Sequence, residues 1–192
     1  FVKRLGLGRT KAKIPRSVGY KAPPYLEFET PHLQELLERI QDTVFPIAAT
    51  GHVELPEFLG KDQVKLNNGT YQLGVGGIHS THDKSVCYLA SDDYIVTDID
   101  AASYYPSIWV LWGHVSGDFN ARLTEEYSKV YYRRLEAKAA DDKAVAEGLK
   151  VPINGTFGKL LSKYSPLYGP TLGLYITLTC QLTLLMLIEW LE

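Results

Sequence analysis

The stretch that most constrains the fold runs from residue 94 to residue 108, where a strand pattern, a carboxylate and a helix start follow one another. Tyr94-Ile95-Val96-Thr97 is aromatic and β-branched and follows the turn-like Ser91-Asp92-Asp93, so it predicts a strand that ends near Asp100. Pro106 suits the first turn of a helix, where its missing N–H is not needed. A strand that brings an aspartate to a turn can hold a divalent cation and leave turn amides for phosphate oxygens. The alternative is an aspartate that only caps a helix.

Length and composition predict a globular chain with a core. The 192 residues are 45% hydrophobic and 22% charged, and the net charge of −2 gives no global basic field for a nucleic acid. Cys87 and Cys180 lack metal-ligand spacing, which predicts buried thiols in a reducing compartment. No signal-peptide pattern is present, and the apolar stretch 172–188 is interrupted by polar residues, so a buried helix is favoured over a membrane span. Both ends of the sequence suggest a fragment of a longer protein.

Residues 1–60 are expected to form a basic connector and a helix that lead into the next domain. The first 23 residues carry seven Lys or Arg and no acidic residue (Lys3, Arg4, Arg9, Lys11, Lys13, Arg16, Lys21). Such a run either neutralises phosphates along a nucleic-acid backbone or is a solvated tail. Thr30-Pro31 predicts a helix start, and apolar residues follow at helical spacing.

Residues 61–120 are expected to form a sheet that carries the Asp100 turn. Asn68-Gly69 predicts a tight hairpin turn between alternating segments, and residues 85–90 are expected to pair with 94–100. Glycines 74, 76 and 77 allow close approach of another backbone. His79 and His82 with Asp83 form a weak metal pattern, for which a structural or surface role is favoured.

Residues 121–160 predict an antiparallel helical hairpin, and 161–192 a return to the sheet through a helix. Thr124 is the expected cap of the first helix, and Asp141-Asp142 the turn before the second. Between residues 122 and 163 nine basic residues stand against six acidic ones. Arg134 and Lys138 share one helical face, and Lys150 shares another with Asn154. Two such faces turned to one cleft would clamp a polyphosphate; the alternative is a solvated charged hairpin.

Two motifs, taken together, carry a resemblance to a known family. Asp100–Ile108 (DAASYYPSI) resembles the first polymerase motif of family B DNA polymerases, Asp-x-x-Ser-Leu-Tyr-Pro-Ser-Ile, with Tyr104 in place of Leu. Lys150–Gly158 (KVPINGTFG) resembles the family's finger motif, Lys-x-x-x-Asn-Ser-x-Tyr-Gly, with Gly155 for Ser and Phe157 for Tyr. Their order matches the family, and so does the basic helix between them. Residues 76–80 (GGIHS) are similar to bacteriophage-encoded members.

The resemblance implies a role for each matching position. Asp100 and the main-chain carbonyl of Ala101 would hold metal, in a complete enzyme two magnesium ions. The implied nucleotide-binding residues are those of the turn and of the two basic helical faces: Ala102, Ser103, Tyr104, Tyr105, Arg134, Lys138, Lys150 and Asn154. Among them Tyr105 matches the steric gate under the sugar. The implied reaction is in-line attack of a primer 3′-hydroxyl on the α-phosphorus of a deoxynucleoside triphosphate.

The expected protein is therefore an α+β fragment, a partial polymerase palm sheet with a two-helix fingers insertion. It would act on primer–template DNA in a host cytoplasm, without a membrane. The family's third motif, which carries a second catalytic aspartate, is expected after residue 192, and Asp98 cannot replace it because it points to the opposite strand face. The chain alone is thus expected to be inactive. Two alternatives remain open: a non-catalytic nucleic-acid-binding or assembly subunit, and one half of a naturally split polymerase.

Overall fold

The structure is a computed structural model that describes residues 13–81, 87–113 and 121–192. It is a mixed α+β chain, in agreement with the expected class. In chain order the elements are β1 (Ser17–Val18), α1 (Pro31–Asp42), β2 (Phe45–Pro46), α2 (Glu57–Gly60), β3 (Val64–Lys65), β4 (Thr70–Leu73), β5 (Ile78–Ser80), α3 (Tyr104–Trp112), α4 (Ala121–Ala139), α5 (Lys143–Leu160) and α6 (Pro170–Leu191).

The strands form two small antiparallel sheets. β1 pairs with β2, and β4 lies between β3 and β5 in a three-stranded sheet. The Asn68-Gly69 turn joins β3 to β4 as predicted, with Val64 opposite Tyr71. A Cβ on Gly69 would lie 2.5 Å from the Tyr71 hydroxyl oxygen, so a side chain there would require the Tyr71 ring to move.

Helix α6 lies at the centre of the core. It begins at Pro170, whose missing N–H costs nothing at a helix start. Nearly every residue from Leu172 to Leu182 is buried, which agrees with the buried helix predicted for this stretch. The helix is long and apolar enough to cross a membrane, but 67% of its most apolar window is buried inside the protein. A helix apolar on all sides is typical of such a core position.

Helices α4 and α5 form the antiparallel hairpin that the sequence predicted. Asp142 caps α5 by accepting a hydrogen bond from the Val145 amide at 3.1 Å. The Tyr127 hydroxyl donates to the Ile153 carbonyl at 3.3 Å, which joins the two helices along their length. Tyr127 also stacks on Trp109 of α3 with ring centroids 3.9 Å apart, so the hairpin packs directly on the helix that follows the Asp100 turn. The predicted cap at Thr124 is wrong, because α4 begins at Ala121 and Thr124 lies inside it.

The predicted strand 94–100 and its pairing with 85–90 are not formed. In the described part, 87–100, the chain has no regular structure, and residues 82–86 lie outside the described residues. Two backbone hydrogen bonds join Ser91 and Tyr94, so only the turn of the expected hairpin is present. The side chains are exposed, Ile95 to 91% and Ile99 to 74%. A strand needs a neighbour to satisfy its backbone and cover its side chains, and no described strand lies beside this one.

The carboxylate of Glu189 ties the last turns of α6 to the start of α1. Thr30, the N-cap of α1, makes no capping bond with its own side chain. Instead Glu189 accepts from the Thr30 amide at 2.7 Å, the Thr30 hydroxyl at 2.5 Å and the Glu29 amide at 3.1 Å. Burial alone would raise the pKa of Glu189, but these hydrogen bonds and the nearby His32 outweigh it and hold the pKa below its ordinary value of 4.5. The ionised carboxylate therefore supplies the missing cap.

We expect Glu189→Gln to lower the melting temperature near neutral pH, with a difference that shrinks in acid. A carboxylate whose folded pKa is depressed stabilises the fold above its unfolded pKa and loses that contribution as pH falls through the folded value. The difference in melting temperature between the two proteins should decline as the pH falls below about 4.5. Glu38→Gln, on the exposed face of α1, serves as the control. A difference that does not change between pH 7 and 3 would show that the cap is not electrostatic.

Candidate anion-binding cleft

A cleft of about 390 Å³ lies between the Asp100 turn and the helical hairpin α4–α5. Three parts of the chain line it: the turn and first residues of α3, the end of α4 and the middle of α5. Its lining residues are Asp100, Ser103, Tyr104, Tyr105, Pro106, Arg134, Lys138, Glu147, Lys150, Asn154 and Phe157. Residues from motifs some fifty positions apart in sequence thus face one space.

The floor of the cleft is the turn that ends at Ser103, the N-cap of α3. Ser103 has φ 55° and ψ 45°, a left-handed conformation that costs a non-glycine residue of the order of 1 kcal/mol. Its carbonyl still accepts the first helical bond, from the Ser107 amide at 2.9 Å. The start of α3 lines the cleft, where the first N–H groups of a helix and its dipole favour an anion.

Arg134 carries a buried positive charge on the hairpin side of the cleft. Its residue is only 6% exposed, and its guanidinium donates to the Ala146 carbonyl at 3.2 Å and to the Ser103 hydroxyl. Within the described ranges no carboxylate forms an ion pair with it. A buried cation that contacts only neutral acceptors has given up hydration without a counter-charge, which is costly unless an anion binds beside it. Arg134 is therefore the strongest sign of an anion site.

Lys138 and Lys150 add two further cations to the cleft, and both residues are exposed. Lys150 lies 3.3 Å from the Glu147 carboxylate one turn earlier on α5. Both side chains of this pair are at least half exposed to solvent, so the pair is weak and an arriving polyanion can replace Glu147. Asn154 is one helical turn beyond Lys150 and lines the same space.

Two tyrosines form the wall of the cleft. Tyr105 donates its hydroxyl to the Gly76 carbonyl at 2.6 Å, and its ring lies 5.0 Å from that of Phe157 on α5. Tyr104 donates to the Cys180 carbonyl of α6 at 2.6 Å. Burial raises the pKa of both tyrosines, so each stays a neutral hydrogen-bond donor at physiological pH.

On the other side of this wall lies a larger and mainly apolar groove of about 870 Å³. Asp100, Tyr104 and Tyr105 line both spaces. The groove is otherwise formed by Ile99 and Ala101, by Glu27, Phe28 and Glu29, and by the face of α6 that bears Thr183, Leu184, Met186, Leu187, Glu189 and Trp190. Asp100 therefore stands at the junction of a cationic cleft and an apolar groove.

The structure brings together eight of the residues singled out in the sequence: Asp100, Ser103, Tyr104, Tyr105, Arg134, Lys138, Lys150 and Asn154. Ala101 lines the groove instead, and Ala102 belongs to the same turn but lines neither space. The sequence reasoning missed Glu147, although its position three residues before Lys150 predicts a contact. It also missed Gln181, for which no local pattern gives a signal, whereas Gly76 belongs to the glycine run that was expected to allow a close approach. His79 is exposed on β5, and its expected neighbours His82 and Asp83 lie outside the described residues.

Comparisons of the chain with family profiles, with curated proteins and with solved structures gave no match.

We expect inorganic tripolyphosphate to bind the cleft and raise the melting temperature of the protein. Arg134→Gln should weaken this binding by roughly 10- to 100-fold, since a hydrogen bond to a charged group is worth about 1.5–3 kcal/mol. Lys138→Gln should have a smaller effect, because that side chain is solvated. Lys129→Gln is the control, because Lys129 lies on α4 but pairs with Glu125 and Glu126 at the surface. Calorimetric titration gives the dissociation constants; equal weakening by Lys129→Gln would mean nonspecific attraction.

Proposed function

We propose that this chain forms the nucleotide-binding part of a template-directed DNA polymerase of the family B type. The observation that carries the proposal is the cleft itself: the carboxylate motif and the finger motif meet there, around a buried cation without a carboxylate partner among the described residues. The ligand would be a deoxynucleoside triphosphate, and the larger substrate primer–template DNA. The sheet β3–β4–β5 with α3 and α6 would belong to the palm, and α4–α5 to the fingers.

In this proposal the chain's residues bind and orient the triphosphate. Arg134, Lys138 and Lys150 neutralise its negative charge, and the start of α3 donates backbone N–H groups. Tyr105 provides the surface under the sugar, where its ring would clash with a ribose 2′-hydroxyl. Asn154 lies on the face of α5 that would meet the base pair. Fixed cations act more strongly in such a partly enclosed cleft than in water, so they stabilise the charge that develops on the phosphates.

Magnesium fits this site in part. Asp100 is an exposed carboxylate at the cleft, and the carbonyl of Ala101 follows it; both are hard oxygen donors of the kind that magnesium prefers. These two residues would hold the ion, which when bound polarises the phosphate oxygens and activates the attacking hydroxyl. No group of three potential metal ligands occurs among the described residues. The family resemblance implies a second carboxylate, and we propose that it comes from a further polymerase segment.

The apolar groove beside Asp100 is where that segment would bind. Ile99 lines the groove. Residues 95–99 pair with no described strand and their apolar side chains are exposed, so a strand added there would satisfy their backbone and cover them. A carboxylate on such a strand would reach the neighbourhood of Asp100. The second segment would be a downstream part of the same polymerase or a separate chain.

A second candidate function is a non-catalytic nucleic-acid-binding or assembly subunit that keeps a relict nucleotide site. The exposure of residues 94–99 favours it, because the carboxylate of Asp100 is not held on a rigid strand. Magnesium-dependent nucleotide binding separates the two candidates, since a relict site has no need of the metal.

We expect deoxynucleoside triphosphates to bind the chain more tightly in magnesium than in its absence, and Asp100→Asn to abolish that difference. The carboxylate supplies the charge that holds the ion between protein and phosphates. The matched control is Asp98→Asn, two residues earlier in the same exposed segment and outside both spaces. Titration calorimetry with and without magnesium gives the measurement. Nucleotide binding that depends neither on magnesium nor on Asp100 would support the relict site.

We also expect Lys150→Ala, in a protein completed by its second carboxylate, to lower kcat/KM for the nucleotide by roughly 30- to 1,000-fold. This corresponds to about 2–4 kcal/mol, by analogy with the loss of one oxyanion donor. Binding of duplex should be almost unchanged. The exposed Lys159 of the same helix serves as the control in Lys159→Ala. If duplex affinity and its salt dependence fall while nucleotide use does not, Lys150 is an ordinary DNA-backbone contact.

A further inference from the structure

Gln181 is a polar residue in the middle of the most buried helix, and its side-chain amide bonds to Gly74 and to Thr177 one turn earlier. The residue is 1% exposed. Its Oε1 accepts from the Gly74 amide at 2.9 Å, and its Nε2 donates to the Gly74 carbonyl at 3.0 Å and to the Thr177 carbonyl at 3.0 Å. Burying an amide is costly unless every hydrogen bond is made. Here the bonds fix the turn between β4 and β5, residues 74–77, to α6.

The turn 74–77 also contacts Tyr105 in the wall of the cleft. The Gly76 carbonyl accepts the hydroxyl of Tyr105 at 2.6 Å. The turn is tight: a Cβ on Gly74 would lie 3.1 Å from the Gly77 carbonyl oxygen, and one on Gly77 would lie 3.4 Å from the Tyr105 hydroxyl. Gly74 is the crowded position of the turn, because a Cβ on Gly76 would meet nothing within 4 Å and one on Gly77 would make only ordinary contact with Tyr105. The order of contacts is therefore Gln181, Gly74, Gly76 and Tyr105.

The same turn of α6 also holds the neighbouring tyrosine. Tyr104 donates to the carbonyl of Cys180, the residue before Gln181. On its far side the ring of Tyr105 meets Phe157 of α5, so it is held between the glycine turn and the hairpin. The position of this ring in the cleft thus depends on a buried glutamine that does not line the cleft.

We infer that Gln181 is a positioning residue for sugar selectivity, acting through the glycine turn 74–77 on Tyr105. The inference rests on the proposed function, in which Tyr105 excludes a ribose 2′-hydroxyl. Exclusion by clash depends on where the ring is held, and a ring that can recede by a fraction of an ångström admits the extra oxygen. An apolar residue of similar length at position 181 would fill the core equally well, so packing alone does not require the amide.

The test compares the dissociation constants of dATP and ATP, with magnesium, for the full chain and its variants. Gln181→Met keeps the length of the side chain but removes its bonds to Gly74. The ratio of the dissociation constant for ATP to that for dATP should fall by about two- to tenfold, which is the effect of one to two ordinary hydrogen bonds. The dissociation constant for dATP itself should stay nearly unchanged. Thr179→Val, a buried polar-to-apolar change on the same helix whose hydroxyl is joined to Tyr20 and not to the turn, should keep the ratio.

A second variant changes the turn 74–77 directly and leaves the side chains of the core unchanged. Gly74→Ala places a methyl group against the Gly77 carbonyl and must shift the turn, so it should lower the ratio as Gln181→Met does. Gly60→Ala is its control, because a Cβ there meets nothing within 4 Å. This pair answers the question even if Gln181→Met does not fold.

Tyr105→Ala separates failure of this inference from failure of the proposed function. It should remove the selectivity altogether, and adding Gln181→Met to it should change nothing further, because both act through one ring. If Tyr105→Ala removes selectivity while Gln181→Met and Gly74→Ala keep it, the inference is overturned and the proposed function stands. If neither nucleotide binds the wild-type chain, the assignment of the nucleotide site is wrong. If Tyr105→Ala leaves the ratio unchanged, the assignment of Tyr105 as the gate is wrong. In either case the inference is wrong too.

Discussion

The described fold depends on the burial of α6, and four polar groups within residues 179–183 of that helix determine which segments pack against it. Thr179 is joined to Tyr20 at 3.0 Å, the Cys180 carbonyl accepts from Tyr104, Gln181 holds Gly74, and Thr183 is joined to Tyr25 at 2.9 Å. In a core these groups must be paired, so each selects one partner. The apolar residues of α6 supply the burial, while its polar residues fix the register of the surrounding segments.

Two energetically unfavourable local features lie at the cleft. Ser103 adopts a left-handed backbone, and Arg134 is buried against the Ser103 hydroxyl and the Ala146 carbonyl. Strain and a buried cation lower stability, and they persist where the rest of the structure determines them. Both lie in the same contact, between the turn after Asp100 and the hairpin. A polyanion there would relieve the uncompensated charge, which is why the cleft rather than the net charge of −2 indicates the ligand.

Asp100 is the point where the two spaces meet, and its surroundings differ on the two sides. Toward α4 and α5 it faces cations, and toward α6 it faces an apolar groove. The segment before it carries Tyr94, Ile95 and Ile99 exposed to water, although their pattern is that of a strand. Exposed apolar side chains beside an apolar groove of this size mark a surface that a partner segment can cover. The proposed completion of the site by a second carboxylate rests on this surface.

The sequence by itself determined the local elements: α1 after Thr30-Pro31, the Asn68-Gly69 turn, the hairpin capped at Asp142 and the buried helix α6. Each of these follows from backbone chemistry or apolar period within a few residues. The sequence also singled out eight of the residues that line the cleft, though not Glu147. The strand predicted for residues 94–100 is wrong, because strand pairing depends on a neighbouring strand that no local sequence pattern supplies. Only the tertiary structure decided that Arg134 is buried against Ser103 and that Gln181 reaches Tyr105 through Gly74 and Gly76, since these contacts join residues from 29 to 107 positions apart.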